Sequence, residues 1–236
     1  MKIAVLGTGG GGRAHAAELA GLGHEVFVGT RDPQATLART EPDMMGNPPF
    51  GTWLSEHPGV TLLAFGEAAA AAGEVVINGI DGHSAVAALS AVAGQLAGKT
   101  LIDYGVPYLY NAEVEHPWPT PWGVMPKMET CDTDSLGEQI QRALPRTKVV
   151  KSFVTQEQET VVNPAAVASE HTMFVAGEHA DAKQHATDLL KAYGWTDVLD
   201  LGPLVSARGM EMYAHLHSAI GFALGFGTPF GIKVVR

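Results

Sequence analysis

Residues 3–23 read IAVLGTGGGGRAHAAELAGLG. An apolar β-type run (IAVL) passes into five glycines within six residues, and these pass straight into a helical pattern that Gly23 stops. Glycine loses more backbone entropy on folding than any other residue, roughly 0.5–1 kcal/mol relative to alanine inside regular structure. A ligand that needs bare backbone would offset that loss. The spacing Gly7-x-Gly9-x-x-Gly12 between a strand and a helix is the dinucleotide fingerprint. Its first glycine permits a tight turn, its second lets a pyrophosphate approach the backbone, and its third lets helix and strand pack closely. Free N–H groups and the helix dipole then meet the phosphates. Arg13 in the first helical turn opposes that dipole, and an anion bound there would compensate it. Gly10 and Gly11 exceed what the fingerprint requires.

Outward from this turn, short β-type runs alternate with helical patterns, which predicts βαβ units and a doubly wound parallel sheet of Rossmann type. The expected strands cover residues 2–6, 25–29, 61–65, 75–80, 100–104 and 148–153, with helices over 11–22, from Glu67, over 84–96 and over 134–144. Residues 41–53 (EPDMMGNPPFGTW) and 106–125 (VPYLYNAEVEHPWPTPWGVM) read as loops, the second rich enough in aromatic residues to line a ligand cleft or to cover core with Trp118 and Trp122. After Ser152 the pattern changes to a strand over 172–176, a helix over 180–193, a strand over 197–201, a long helix over 203–224 and a short final strand in GIKVVR. The expected division is a dinucleotide-binding domain over 1–152 and a small C-terminal α/β domain over 153–236 that forms the substrate cleft.

The net charge of −10 and the scattering of all fifteen basic residues as single positions argue against a nucleic-acid footprint. Cys131 is the single cysteine, so no intrachain disulfide forms, which suits a reducing compartment. The apolar N-terminal run is too short for a signal core, and no later stretch is long enough to cross a membrane. A cytoplasmic location is expected. His215 and His217 lie two apart on a helix and so face apart, Glu211 and His215 share a face as packing residues, and no metal set is expected.

The tip of the second strand, Gly29-Thr30-Arg31-Asp32-Pro33, bears on which dinucleotide binds. By count, Asp32 falls near the acid that holds the ribose hydroxyls of NAD. Asp followed by Pro is also a good N-cap and N1 pair for the next helix. That leaves Thr30 and Arg31 at the tip, where a guanidinium suits the 2′-phosphate of NADP.

MKIAVLGTG, HEVFVGTRDP, VVKSF, FVAGEHADAK and DLGPLVSAR together resemble the F420-dependent NADP oxidoreductases. The resemblance covers nearly the whole chain and is weakest over 41–67 and 108–131. It implies NADP(H) at the glycine turn, a deazaflavin (coenzyme F420) in the cleft as the small-molecule acceptor, and a homodimer. It places phosphate contacts on Thr8, Gly9, Gly10, Gly11 and Gly12 and the 2′-phosphate pair on Thr30 and Arg31. Further cofactor contacts fall on Gly79, Ile80, Ser84 and Ser152. The segment after the fourth strand departs from the family's apolar, proline-containing pattern: it reads NGIDGHS, which puts Asp81 and His83 near the nicotinamide.

Hydride transfer to a deazaflavin needs chiefly proximity and orientation. An imine or ketone acceptor would need a proton donor, for which Asp81, His83 and Tyr104 are candidates, with Asp81 equally a helix cap and His83 a rim residue. Arg208 and Lys233 could meet the acidic tail of a deazaflavin, and the glycines of GFALGFGTPFG (221–231) could let that segment approach a planar ring. Two alternatives stand beside the F420 reading: an NADPH-dependent imine or ketone reductase, and a non-catalytic NADP(H) redox sensor.

Overall fold

The computed structural model describes residues 1–43, 46–109, 127–225 and 227–236. The chain begins with β1 (Lys2–Leu6), α1 (Gly10–Gly21), β2 (Glu25–Thr30), α2 (Pro33–Leu37), α3 (Phe50–Ser55), β3 (Val60–Ala64), α4 (Phe65–Ala71) and β4 (Val75–Asn78). It continues with α5 (Gly82–Ser90), α6 (Ala93–Leu96), β5 (Thr100–Asp103), β6 (Tyr108–Leu109), β7 (Lys127–Met128), α7 (Leu136–Ala143) and β8 (Lys148–Ser152). The remainder is α8 (Gln158–Val162), β9 (Met173–Ala176), α9 (Ala180–Tyr193), β10 (Val198–Asp200) and α10 (Ala207–Leu224).

One eight-stranded sheet runs β10-β9-β8-β5-β4-β1-β2-β3, parallel except where β9 meets β8. Because both faces are covered, β1 is apolar from Ile3 to Leu6, with Lys2 exposed at its start. Ile3 and Val5 join the core beneath α1 and α9, while Ala4 and Leu6 join the core beneath α4, α5 and α7. The chain leaves β3 on one side of β1 and returns as β4 on the other. The crevice at the carboxyl ends of β1 and β4 is therefore the switch point where ligands bind in such sheets. Strands from both sides of residue 152 share this sheet: Lys151 pairs with Ala176 and Ser152 with Val175.

Several elements differ from the sequence expectation. Residues 41–53 are not all loop, because α3 starts at Phe50, which is buried and packs at a tilt against Trp53. Strand β4 stops at Asn78, whose side chain takes over the next backbone partner by accepting from Ile80 N at 3.2 Å. The helix expected over 84–96 is two helices, broken where Val92 leaves helical backbone (φ −119°) and buries its side chain. The final GIKVVR is not a strand: Thr172 N donates to Ile232 O, but Val234 N then donates to the Thr172 hydroxyl instead of continuing a ladder. The helix expected from 203 begins at Ala207, after a 3-10 turn over Leu204–Ser206. Trp118, Trp122 and most of the 106–125 segment lie outside the described residues; its ends are joined by the pairing of β6 with β7. Among the described residues no helix is long and apolar enough to cross a membrane.

Candidate active site

The glycines of the turn serve different ends. Gly7 sits at φ +128°, and a Cβ there would meet Gly79 O at 2.2 Å, so the first turn after β1 is in backbone contact with the end of β4. A Cβ on Gly12 would meet Gly7 O at 2.4 Å, which is the close packing of helix on turn that the fingerprint demands. One on Gly11 would meet Gln158 Cγ at 2.7 Å and the Tyr104 hydroxyl at 2.9 Å, and one on Gly10 would come to 3.3 Å from Asn47 Nδ2. Gly9 alone of this group faces open space, with nothing within 4 Å of its Cβ position. Gly9 is the N-cap of α1; no side chain caps that helix and no acid stands in its first turn. A bare N-terminus of this kind leaves its N–H groups available to an anion.

Gly9 opens on two cavities. One, about 530 Å³, is lined by Thr8, Arg13, Arg39, Pro48 and Phe50 among others. The other, about 650 Å³, is walled by Gly10, Gly11, Glu157, Glu159, His217 and Phe230 among others. A dinucleotide straddling the turn would place one half in each. Tyr104 packs behind the turn: its hydroxyl lies 2.3 Å from the Cβ position of Gly79 as well as beside Gly11, and burial raises its pKa so that it keeps its proton.

Behind the turn, His15 is fully buried, stacked between Tyr104 and Phe153. Gln158 donates its amide N–H to the carbonyls of Phe153 and Gln156, so its Oε1 accepts from His15 Nε2 at 2.9 Å. The Tyr193 hydroxyl then donates to His15 Nδ1 at 3.1 Å. Burial lowers the His15 pKa to about 4 and keeps the ring neutral.

The carboxyl ends of β4, β5 and β8 carry a buried polar chain. Asn78 donates to Asp103 Oδ1 at 2.8 Å, and Lys151 donates to Asp103 Oδ2 at 2.7 Å and reaches Glu211 Oε1 at 2.7 Å. Glu211 also accepts from Leu136 N and Gly137 N, joining α10 to the start of α7. Lys151 has its pKa raised: its carboxylate neighbours outweigh the opposing cost of burial. Glu211, by contrast, is held above the ordinary carboxylate range by burial, against the pull of Lys151.

Other expected residues behave less uniformly. Arg13 is buried, donates to Thr8 O at 2.9 Å and Pro48 O at 2.6 Å, and lies 5.3 Å over the Phe50 ring. Carbonyl oxygens, an aromatic face and the charge of Asp43 thus favour the guanidinium, and it clamps the 48–50 segment onto the turn. Thr30 is buried with its hydroxyl on that of Thr36 at 2.8 Å, while Arg31 is exposed beside Asp32, which caps α2 through Ala35 N. Ile80 is held by Asn78, and Ser84 N is capped by Asp81. Ser152 does not join the group: it is fully buried and its hydroxyl donates to Phe174 O at 2.8 Å, on the β9 side of the sheet. His83 pairs with Glu129 at 2.8 Å, a hydrogen bond that raises its pKa.

The two cations that could meet an acidic tail are paired within the fold. Arg208 forms two 2.8 Å bonds to Glu138, and Lys233 bridges Glu170 and Asp197. Gly221, Phe222, Gly227 and Phe230 of the 221–231 segment do line the larger cavity. Residues the sequence reading passed over are Asp43, Asn47, Glu157, Gln158, Glu159 and His217. Asp43 and Asn47 lie in the 41–53 segment, Glu157, Gln158 and Glu159 run consecutively into α8, and His217 lies on α10, so it is the fold that brings these three stretches to one wall.

Comparison with known proteins bears on the family and the fold. Residues 2–107 match the family model "NADP oxidoreductase coenzyme F420-dependent". A solved structure from Arthrobacter sp. FB24, assigned as an F420-dependent NADP-reductase, is 47% identical with a TM-score of 0.89, covering 100% of both chains. Metalloreductase STEAP3 of Rattus norvegicus is 26% identical over 215 residues, which are 89% of this chain but 36% of that protein. The chain thus spans about a third of that curated relative's length. An imine reductase from Streptomyces aurantiacus shares the fold at 16% identity and a TM-score of 0.60, covering 94% of this chain and 62% of its own.

Proposed function

The chain belongs to the coenzyme F420-dependent NADP oxidoreductases and is an NADP-dependent oxidoreductase; from that premise we propose that it moves a hydride between NADP(H) and the deazaflavin ring of F420. A non-catalytic sensor is not the reading for a member of a family of oxidoreductases. The observation that carries the proposal is Gly9, open on its own and placed between two cavities on either side of an uncapped helix start.

When bound, NADP(H) supplies or takes the hydride at its nicotinamide ring. The N–H groups of the Gly9–Gly12 turn hold the pyrophosphate, and Thr30 and Arg31 hold the 2′-phosphate at the tip of β2. Gly79, Ile80 and Ser84 border the nicotinamide end, where Asn78 fixes the Ile80 amide. Tyr104, kept protonated, packs between the two stretches. The unit over 153–236 supplies the acceptor side through α8, α10 and the 221–231 segment. Phe222, Pro229 and Phe230 exclude water from the wall of the larger cavity. The chain acts as a homodimer through the apolar face of α10, where Met212 is 45% and Leu216 57% exposed.

A second reading, an imine or ketone reductase, is favoured by the pairing of Arg208 and Lys233 away from any acidic tail. One assay separates the two. Purified protein is mixed with NADPH, and loss of the reduced-nicotinamide absorbance is followed with F420 and then with a panel of imines and ketones. Oxidation with F420 alone supports hydride transfer to the deazaflavin; oxidation with the panel alone overturns it.

A further inference from the structure

Three residues stand in register across the carboxyl ends of neighbouring strands: Asn78 on β4, Asp103 on β5 and Lys151 on β8. All three are fully buried, and each side chain bonds the next. The first two also turn back on their own chain: Asn78 Oδ1 accepts from Ile80 N at 3.2 Å, and Asp103 Oδ1 accepts from Gly105 N at 3.0 Å. Lys151 donates to Gly105 O as well. This rung sets the path of both segments that leave the strands. The segments are packed backbone to backbone, since a Cβ on Gly82 would meet Val106 O at 2.0 Å, and the contact of Gly7 with Gly79 joins them to the glycine turn.

The far end of the rung is Glu211 of α10, which Lys151 reaches at 2.7 Å. Two helical turns further along α10, Ser218 walls the larger cavity, followed by Gly221 and Phe222. A connected set of buried bonds thus runs from the backbone of 78–80 to the helix that walls that cavity. Cohesion alone does not account for it, because charges taken out of water commonly stabilise a fold no more than apolar residues of equal size. What a fully paired buried network supplies is a single fixed geometry. Hydride transfer depends on such geometry, since the donor and acceptor carbons must stand about 3–3.5 Å apart.

Resting on the reading of residues 79–80 as the nicotinamide end and of the larger cavity as the acceptor site, we propose that Asn78, Asp103, Lys151 and Glu211 are positioning residues that fix the nicotinamide end against the acceptor wall. Buried from solvent, they touch neither ligand; they act through the Ile80 and Gly105 amides on one side and through α10 on the other.

The test uses Asn78→Leu, which removes the acceptor of Ile80 N and leaves Lys151 paired with both carboxylates. Three quantities are read: NADPH affinity by calorimetry, the fluorescence emission of the bound reduced nicotinamide, and the single-turnover oxidation of bound NADPH by F420. Affinity should stay within about threefold of the parent, because the phosphates are held elsewhere, at the glycine turn and the tip of β2. The oxidation should slow by about tenfold or more at saturating F420, with half-saturation by F420 within about threefold, and the emission of the bound ring should change. Glu211→Gln keeps the size of the side chain and the pair of Lys151 with Asp103. It should act in the same way, and it carries the test if Asn78→Leu does not fold. Oxidation as fast as in the parent, or a slowing matched by an equal loss of NADPH affinity, would overturn the proposal. Should the parent bind NADPH but not pass its hydride to F420, the deazaflavin reading fails by that result alone and the emission decides: a changed emission at unchanged affinity retains the positioning of the nicotinamide end, and an unchanged one overturns it. A parent that does not bind NADPH overturns both.

Discussion

Gly9 and Gly12 stand three residues apart and should respond in opposite ways to an added methyl group. Gly12→Ala pushes a Cβ to 2.4 Å from the Gly7 carbonyl, so it should cost about 2 kcal/mol or more of folding stability in chemical denaturation. Gly9→Ala meets nothing and sits at φ −71°, so stability should stay within about 0.5 kcal/mol. Its NADPH affinity, read by calorimetry, should nonetheless fall by about tenfold or more, because the methyl group occupies the approach to the backbone N–H groups. Equal destabilisation by the two changes would contradict this division of labour. The fingerprint was legible because its glycines answer to backbone geometry. The need for Gly11 was not, since it comes from Tyr104 and Gln158, more than ninety residues further on. Arg13 was legible as a charge in the first turn, while its contacts with Pro48 and Phe50 were not, because those residues approach it only in the folded chain.

At the scale of elements, the central strands of the sheet were legible as short, mainly apolar runs buried on both faces, as in Ile3–Leu6 and Val75–Asn78. Where side chains replace backbone partners, the reading failed: Asn78 ends β4 two residues early and Thr172 keeps the C-terminal segment from pairing as a strand. The buried chain through Asp103, Lys151 and Glu211 was not legible either, since it joins β5, β8 and α10 across long sequence separations. Lys151→Met would leave two buried carboxylates without their cation and should destabilise the fold by about 3–5 kcal/mol. Adding Glu211→Gln should recover part of that loss. A single variant as stable as the parent would show that the chain does not hold α10 to the sheet.

At the scale of the molecule, two buried imidazoles give stability a direction with pH. The pKa values of His15 and His217 are both lowered to about 4 by burial, so the unfolded chain binds more protons than the folded one between about pH 4 and the ordinary histidine value near 6.5. Their contribution is therefore full above that value and is lost as pH falls through the window. For His15 it amounts to about 3 kcal/mol. Denaturant midpoints should fall steadily from neutral pH to pH 4, and His15→Phe should flatten the slope; an unchanged slope would place the dependence elsewhere. The proposed dimer through α10 predicts that Leu216→Glu, at an exposed apolar position, yields monomers in sedimentation.

The central claim, a cradle for NADP(H) at the glycine turn with its 2′-phosphate at the tip of β2, is tested most directly by calorimetric titration of NADPH and NADH into the protein and its Arg31→Ala variant. The account predicts that NADPH binds the parent more tightly than NADH, and that Arg31→Ala cuts this preference by about tenfold while NADH affinity stays level. A preference for NADH, or a preference for NADPH that Arg31→Ala leaves intact, would contradict it.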